Sequence, residues 1–265
     1  MFEAKLGEAS LFRKLIEAIK DLVGDGPFDC SENAICLQAM DASHVALVSL
    51  KLESQGFESY RCDRAINVGV SLANLSKAMK CSGGDDSCTI RLTDDPDTIT
   101  LVFEDPNRDK QQEVEVKLMD LDTDQLGIPE QDYSCVVTMP SGEFQKVCRD
   151  LATFGDTLAI TATKNGIQFE GKGDSGSSKV RFGQTTPSKE EEVGALPCNY
   201  KSHTTRPTAI KYMNSFTKAT PLSPAVTLSI TSGVPIVVEY KLADFGYLRF
   251  YLAPKVDDED MNADG

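Results

Sequence analysis

Apolar residues recur along this chain with two periods, and the switches between them mark out its elements. From residue 9 to 23, Phe12, Leu15, Ile16, Ile19 and Val23 fall on one stripe at helical spacing. That is the pattern of an amphipathic helix, and Gly24-Asp25-Gly26-Pro27 closes it. Residues 34–40 and 45–52 read as strands separated by Asp41-Ala42-Ser43, and 67–70 as a short third. Ser71 reads as the N-cap of a second helix to residue 80, with Leu72, Leu75 and Met79 inward. After the turn Gly83-Gly84-Asp85-Asp86, strands at 88–92, 98–103 and 113–117 follow, the last two with period-2 alternation.

The second half replays this order. Residues 133–139 form a strand, and Ser141 caps a helix whose stripe is Phe144, Val147, Cys148 and Leu151. Residues 157–162 and 166–170 form a hairpin about Lys164-Asn165-Gly166, followed by a strand at 179–182 and a charged loop at 189–192. A fourth helix spans 209–219, and strands lie at 226–230, 234–240 and 247–252. The replay requires a strand within 195–208, yet that stretch shows no alternation and contains Pro197 and Pro207. Residues 256–265 hold five acids and no base, the composition of a disordered tail.

The likeness extends to residues. Phe12-Arg13-Lys14-Leu15 matches Phe144-Gln145-Lys146-Val147 at a shift of 132, which also lays Asn33, Ile35 and Leu37 on Asn165, Ile167 and Phe169. Leu75-Ser76-Lys77-Ala78 matches Phe216-Thr217-Lys218-Ala219 at a shift of 141. A repeat this long means two copies of one domain. The expected fold class is α+β, with domains at 1–117 and 136–256, a connector at 118–135 and an acidic tail at 257–265. The connector carries Asp120, Asp122, Asp124, Glu130 and Asp132 around one apolar island, Leu126-Gly127-Ile128-Pro129.

A length of 265 residues suits two domains, and 40% hydrophobic composition supports real cores. No secretory apolar segment follows Met1 and no long apolar run occurs, so a soluble, intracellular chain is expected. Eight cysteines without a CxxC pair read as reduced residues, Cys36 and Cys148 in the core. A net charge of −14 argues at face value against nucleic acid. The distribution of charge reverses that inference. The four helices carry nine bases against four acids, and the rest of the chain 18 against 37. The bases are Arg13, Lys14 and Lys20; Lys77 and Lys80; Lys146 and Arg149; Lys211 and Lys218. At 100° per residue, Lys77, Arg149 and Lys218 sit about 140° from the centres of their apolar stripes. Any solvated helix face can carry lysine. Four basic faces at repeat-related positions in an acidic chain point instead to a surface for a polyanion, with phosphate contact and no base reading.

No catalytic constellation accompanies this. The two histidines, His44 and His203, stand in unrelated contexts. Asp120, Asp122 and Asp124 mimic the start of an EF-hand loop, but Gln125 stands where glycine is needed and Gln131 where glutamate is needed. Residues 171–179 are glycine-rich without the Gly-Lys-Ser/Thr ending of a P-loop. Asp94, Asp95 and Asp97 read as a solvated turn; the runner-up would make them the carboxylates of an acidic metal-assisted hydrolase. No metal or cofactor is expected.

The segments MFEAKL, MDASHVALVSL, YRCDR, LMDLDTDQLGIPEQDYSCVV, MPSGEFQKVCRDL, FTKATPLS and VVEYKLADFGYLRFYLAPK resemble the proliferating cell nuclear antigen family, the eukaryotic DNA sliding clamps. The resemblance covers almost the whole chain and fails only around 195–208. It implies the DNA clamp fold and a ring-shaped, head-to-tail homotrimer encircling double-stranded DNA without sequence preference, with the helices lining the hole. It implies a nuclear processivity factor with no catalytic activity, cofactor or membrane contact. Implied partners are clamp loader, DNA polymerase, flap nuclease and ligase type proteins that dock through short peptides. The lining it implies for those peptides is Met40, His44, Val45, Leu47, Leu126, Gly127, Ile128, Pro129, Tyr133, Pro235, Tyr251, Ala253 and Pro254. It further implies Lys164 as a ubiquitin and SUMO acceptor. Edge strands carrying Lys110, Val114 and Val116 on one side and Ser178, Val180 and Phe182 on the other would join the subunits. Within the same class, the alternative is a damage-checkpoint-type clamp subunit of a heterotrimer.

Overall fold

The computed structural model describes residues 1–121, 127–128, 131–163, 166–183, 198–200 and 204–254. The first half runs β1 (Phe2–Leu6), α1 (Ala9–Ile19), β2 (Asp25–Cys30), β3 (Ala34–Met40), β4 (Ala46–Glu53), β5 (Ser59–Cys62), β6 (Ile66–Ser71), α2 (Leu72–Met79), β7 (Ser87–Leu92), β8 (Thr98–Asp105) and β9 (Lys110–Met119). The second runs β10 (Cys135–Pro140), α3 (Ser141–Leu151), β11 (Thr157–Thr163), β12 (Gly166–Gly173), β13 (Gly176–Gly183), β14 (Cys198–Tyr200), β15 (Thr204–Ala209), α4 (Ile210–Phe216), β16 (Ala225–Ile230), β17 (Ile236–Lys241) and β18 (Gly246–Leu252). Helix and strand alternate in the same order in both halves. By position, β4 corresponds to β13 and β9 to β18.

Contacts divide the chain into two units, one of Met1–Pro129, Pro221–Ser223 and Tyr240–Phe250, the other of the remainder. In the first, an antiparallel ladder runs β5-β1-β7-β8-β9. The end of β9 then pairs with β6 at Gly69↔Met119 and Val70↔Leu118, and the order continues β6-β2-β3-β4. On the far side of β4 lies the Gly246–Phe250 part of β18. Gly246 has φ +131, and a Cβ there would stand 2.0 Å from the Lys51 carbonyl oxygen, so only glycine admits this approach. The second unit holds β14-β10-β16-β17 and a separate ladder β13-β12-β11-β15.

Alternation puts one face of each strand into a core. Leu158, Ile160 and Ala162 of β11 are fully buried, as are Phe144, Cys148 and Leu151 of α3. Phe144 meets Phe169 with ring centroids 6.1 Å apart. In the first unit Phe12, Leu15, Ile16 and Ile19 of α1 are buried, together with Leu72, Leu75 and Met79 of α2. Each such side chain contributes about 1.5–3 kcal/mol through burial, far more than any exposed ion pair.

Several elements differ from the sequence reading. β1, β2 and β5 were not expected. β2 begins inside the presumed Gly24–Pro27 turn; Pro27 is tolerated because pairing with β3 starts only at Phe28. Ser141 is the first helical residue rather than the cap; Pro140 holds the N-cap position. Ser71 does stand at the N-cap of α2 but makes no side-chain capping bond. α1 stops at Ile19, and α4 at Phe216, beyond which Thr217–Leu222 tightens into a 3-10 turn containing Pro221. Cys36 is half-buried and not a core residue. The strand the repeat required before α4 is β15, paired with β11 from Thr157↔Ala209 to Ala162↔Thr204. It lies at a sheet edge, where Pro207 is permitted. The charged loop at 189–192 and the acidic tail lie outside the described residues.

Candidate nucleic-acid interface

The helices lie side by side in pairs, α1 with α2 and α3 with α4. Each turns its apolar stripe into the strands of its own unit and leaves the opposite face to solvent. On the first pair Lys14, Lys77 and Lys80 are exposed and Arg13 is half-buried. On the second, Lys146, Arg149, Lys211 and Lys218 are exposed. Lys218 belongs to the 3-10 turn rather than to α4. Acids on these faces are few. Asp150 stands 3.5 Å from its neighbour Arg149, and Glu143 occupies the first turn of α3, where the helix dipole favours it. Lys211 rests its ammonium 4.9 Å from the Tyr212 ring centroid, and Lys77 Nζ donates to Asn74 Oδ1 at 3.5 Å. These are weak tethers, so the cationic ends stay adaptable on rigid supports.

Lys20 is different. Its Nζ sits 2.6 Å from Glu17 Oε2 and donates to Ser76 Oγ at 3.3 Å. Ser76 in turn donates to Glu17 Oε1 at 2.6 Å. This triad clips α1 to α2 and neutralises Lys20 locally, a role its position in the sequence did not signal. In the second unit Gln145 Nε2 donates to the Thr217 carbonyl at 3.2 Å across the α3–α4 pair.

The residues expected to line a peptide site fall in both units. In the first, Met40 is 36% exposed at the end of β3 and stands directly across from half-buried Leu47. Between them His44 is exposed with φ +54, and Val45 is half-buried. Asp41 fixes this loop: its Oδ1 accepts from the Val45 and Ala46 amides at 2.8 and 2.7 Å, and Oδ2 from Ser43 at 3.1 Å. An aspartate ahead of Ala42-Ser43 is the sequence signal of such a side-chain-to-backbone turn. Gly127 is exposed and Ile128 half-buried, while Leu126 and Pro129 lie outside the described residues. In the second unit Tyr133, Tyr251, Ala253 and Pro254 are half-buried and Pro235 is exposed.

Lys110 is exposed, Val114 half-buried and Val116 buried on β9; Ser178, Val180 and Phe182 are half-buried on β13. Phe182 meets Phe169 edge-on at 6.0 Å. Lys164 lies outside the described residues. Asp94 pairs with the N-terminal ammonium at 2.5 Å and with Arg64 at 3.6 Å, and the ammonium, chiefly, draws its carboxyl below the usual value. Among the described residues no group of three His, Cys, Asp or Glu is placed to hold a metal. Nor is any helix among them long and apolar enough to cross a membrane.

Two family models match this chain. That of the proliferating cell nuclear antigen N-terminal domain matches residues 1–126, and that of the C-terminal domain matches 127–255. The chain is 57% identical over 261 residues to the proliferating cell nuclear antigen of Caenorhabditis elegans, covering 98% of this chain and 99% of that protein.

The Lys20–Glu17–Ser76 triad has a pH signature. The hydrogen bond from Lys20, then that from Ser76, holds the Glu17 carboxyl below its ordinary value of 4.5. Because the folded value is the lower one, the stabilisation is present above the unfolded value and is lost as pH falls through the folded one. Glu17→Gln is therefore expected to lower stability at pH 7 by about 0.5 kcal/mol, small because the pair is partly solvated. As pH falls below 4.5 and through the folded value, the two proteins converge. Paired melting curves between pH 3 and 7 check this; a gap of constant size down to pH 3 contradicts it.

Proposed function

The chain belongs to the proliferating cell nuclear antigen family, and on that premise we propose that it works as three identical copies closed head to tail around double-stranded DNA. It is a DNA sliding clamp and processivity factor, of a family that encircles DNA and docks polymerases and repair proteins. The observation that carries the ring reading is the charge arrangement. Each unit exposes basic side chains on its helix pair, lysines on the first and lysines with Arg149 on the second, while the chain as a whole is −14. Helices lining the hole would meet phosphates, and the acidic remainder would repel DNA elsewhere. Exposed cations at physiological salt act over about 8 Å, so each contact is weak and replaceable. Weak contacts permit sliding, and closure of the ring supplies the retention that affinity does not. No base reading is needed, in keeping with backbone contacts that carry no sequence information.

In this reading the protein is a nuclear, non-enzymatic scaffold with no cofactor. Residues 118–135 connect domains at 1–117 and 136–256, and 257–265 form an acidic tail. Family likeness assigns to a short docking peptide with aromatic anchors the residues Met40, Leu47 and Ile128 of the first unit and Tyr251, Ala253 and Pro254 of the second, and aromatic residues carry most of the energy in small interfaces. Clamp loader, polymerase, flap nuclease and ligase type proteins would share that site. Lys164 accepts ubiquitin or SUMO. Edge strands of both kinds within one chain favour the homotrimer over a heterotrimeric checkpoint clamp.

Reversing Lys77, Lys80, Arg149, Lys211 and Lys218 to Glu together should leave the trimer intact by solution mass and cut processive synthesis by at least about tenfold. Normal processivity in that variant defeats the reading. Lys20 is left out because its charge is already paired. Leu126→Ala with Ile128→Ala should weaken binding of a polymerase-type peptide by more than about tenfold, or 1.4 kcal/mol, at unchanged melting temperature. A lower melting temperature with unchanged affinity would show that these residues only pin the connector. Mass mapping of the modified protein after DNA damage tests Lys164; conjugates elsewhere with Lys164 clean reject it.

A further inference from the structure

Lys20, at the end of α1, is held more tightly than Lys77, Arg149 or Lys211. Its ammonium sits 2.6 Å from Glu17 Oε2 and donates to Ser76 Oγ at 3.3 Å, while Ser76 donates to Glu17 Oε1 at 2.6 Å. Ser76 is buried, so the clip closes on a fixed hydroxyl. The Lys20 side chain is 21% exposed, against 71% for Arg149. Arg149 reaches the adjoining Asp150 at 3.5 Å, Lys77 the neutral Asn74 at 3.5 Å, and Lys211 the Tyr212 ring. The repeat sharpens this contrast. The shift of 132 that lays Phe12 on Phe144 also lays Glu17 on Arg149, and the shift of 141 lays Ser76 on Thr217 and Lys77 on Lys218. One position of a repeated helix face therefore carries an exposed arginine in the second unit and a glutamate in the first. Hydrogen bonds from Lys20, then Ser76, and more weakly the charge of Lys80, favour the ionised form of that glutamate.

Resting on the ring reading above, we propose that Glu17 is a positioning residue of the sliding surface, a built-in competitor that holds the Lys20 ammonium off the DNA phosphates and keeps the first helix pair from gripping the duplex. Lys20 can serve the carboxylate or a phosphate. Turning to a phosphate leaves Glu17 ionised and unpaired beside a second anion, so each such exchange is opposed and short-lived. At physiological salt a charge is felt over about 8 Å, and within that range a phosphate meets a pair of no net charge where a free lysine would attract it. The pair is partly solvated and weak enough to exchange, which makes Glu17 a brake on affinity and not a block. Each cation that neutralises a phosphate releases counterions and steepens the fall of affinity with salt by about 0.9 in logarithmic slope. Lys77 and Lys80 of the first unit contribute to that slope; Lys20 is withheld from it until Glu17 is removed.

The test measures binding of the full chain to a blunt duplex oligonucleotide of mixed sequence, by fluorescence anisotropy, between about 0.05 and 0.2 M salt. Wild type is run first: if it is not a trimer, or its binding does not weaken with salt, the ring reading itself fails. Given that behaviour, E17Q should bind at least about threefold more tightly at the low-salt end, with a slope steeper by about 0.9 for each Lys20 that engages. E17Q/K20Q, which has the net charge of wild type, should return to the wild-type slope. Glu143 lies exposed in the first turn of α3, and E143Q removes the same charge from a helix face without touching Lys20; its slope should stay within about 0.3 of wild type. A slope unchanged in E17Q, a gain that persists in E17Q/K20Q, or an equal gain in E143Q overturns the competitor role while leaving the ring standing. If Lys20 is instead an ordinary phosphate contact in wild type, E17Q/K20Q falls below wild type in slope, which also overturns it. A glutamate that merely braces α1 against α2 would change melting temperature and leave all four slopes alike.

Discussion

Packing of amphipathic helices against antiparallel strands is the constraint on which the rest of this molecule depends. A helix with Phe12, Leu15, Ile16 and Ile19 on one stripe has no choice about which face it buries, and the same holds for Phe144, Val147, Cys148 and Leu151. Burial of those residues outweighs every surface interaction, so it fixes where the lysines and arginines of the helices point. Charge placement is therefore a consequence of core packing. Cations end up ordered as a set by the helices and turns that carry them.

Duplication adds a second constraint. An edge that has a strand beside it in one copy of the repeat has none at the equivalent place in the other, among the described residues. β4 has Gly246–Phe250 beside it, whereas β13 and the Lys110–Lys117 stretch of β9 do not have such a neighbour among the described residues. Open edges are hazards unless something specific fills or defends them. In the ring proposed above, the next copy of the chain fills them.

Much of this was legible in the residues. The four helices, most of the strands and the repeat follow from periodicity, because each of those elements has one wet and one dry face. β5, Ser59–Cys62, was not legible: an edge strand with burial alternating only between exposed and half-buried has no apolar period to read. β2 was hidden by Gly26 and Pro27, which signal a turn, although a Cβ on Gly26 would lie 2.6 Å from Leu37 Cδ1 and the glycine is there for close packing. The basic faces could be read from charge counts, but the withdrawal of Lys20 into a triad with Glu17 and Ser76 depends on two helices meeting, which one-dimensional spacing cannot show. The apolar island at Leu126–Pro129 stood out against its acidic surroundings. The rest of the peptide lining rested on family likeness, and the part played by Asp41 emerged only from its three backbone hydrogen bonds.

The central claim is that DNA is held by closure of a ring and only loosely by contact. The most direct measurement loads the protein, with a clamp loader, onto nicked circular DNA and follows its retention by gel filtration at moderate salt before and after a single cut that linearises the circle. The account predicts that the protein stays with the intact circle and is lost from the linear form, because basic faces that permit sliding cannot stop the ring from running off an end. Equal retention on circular and linear DNA would contradict it, since the hold would then reside in contact affinity rather than in topology.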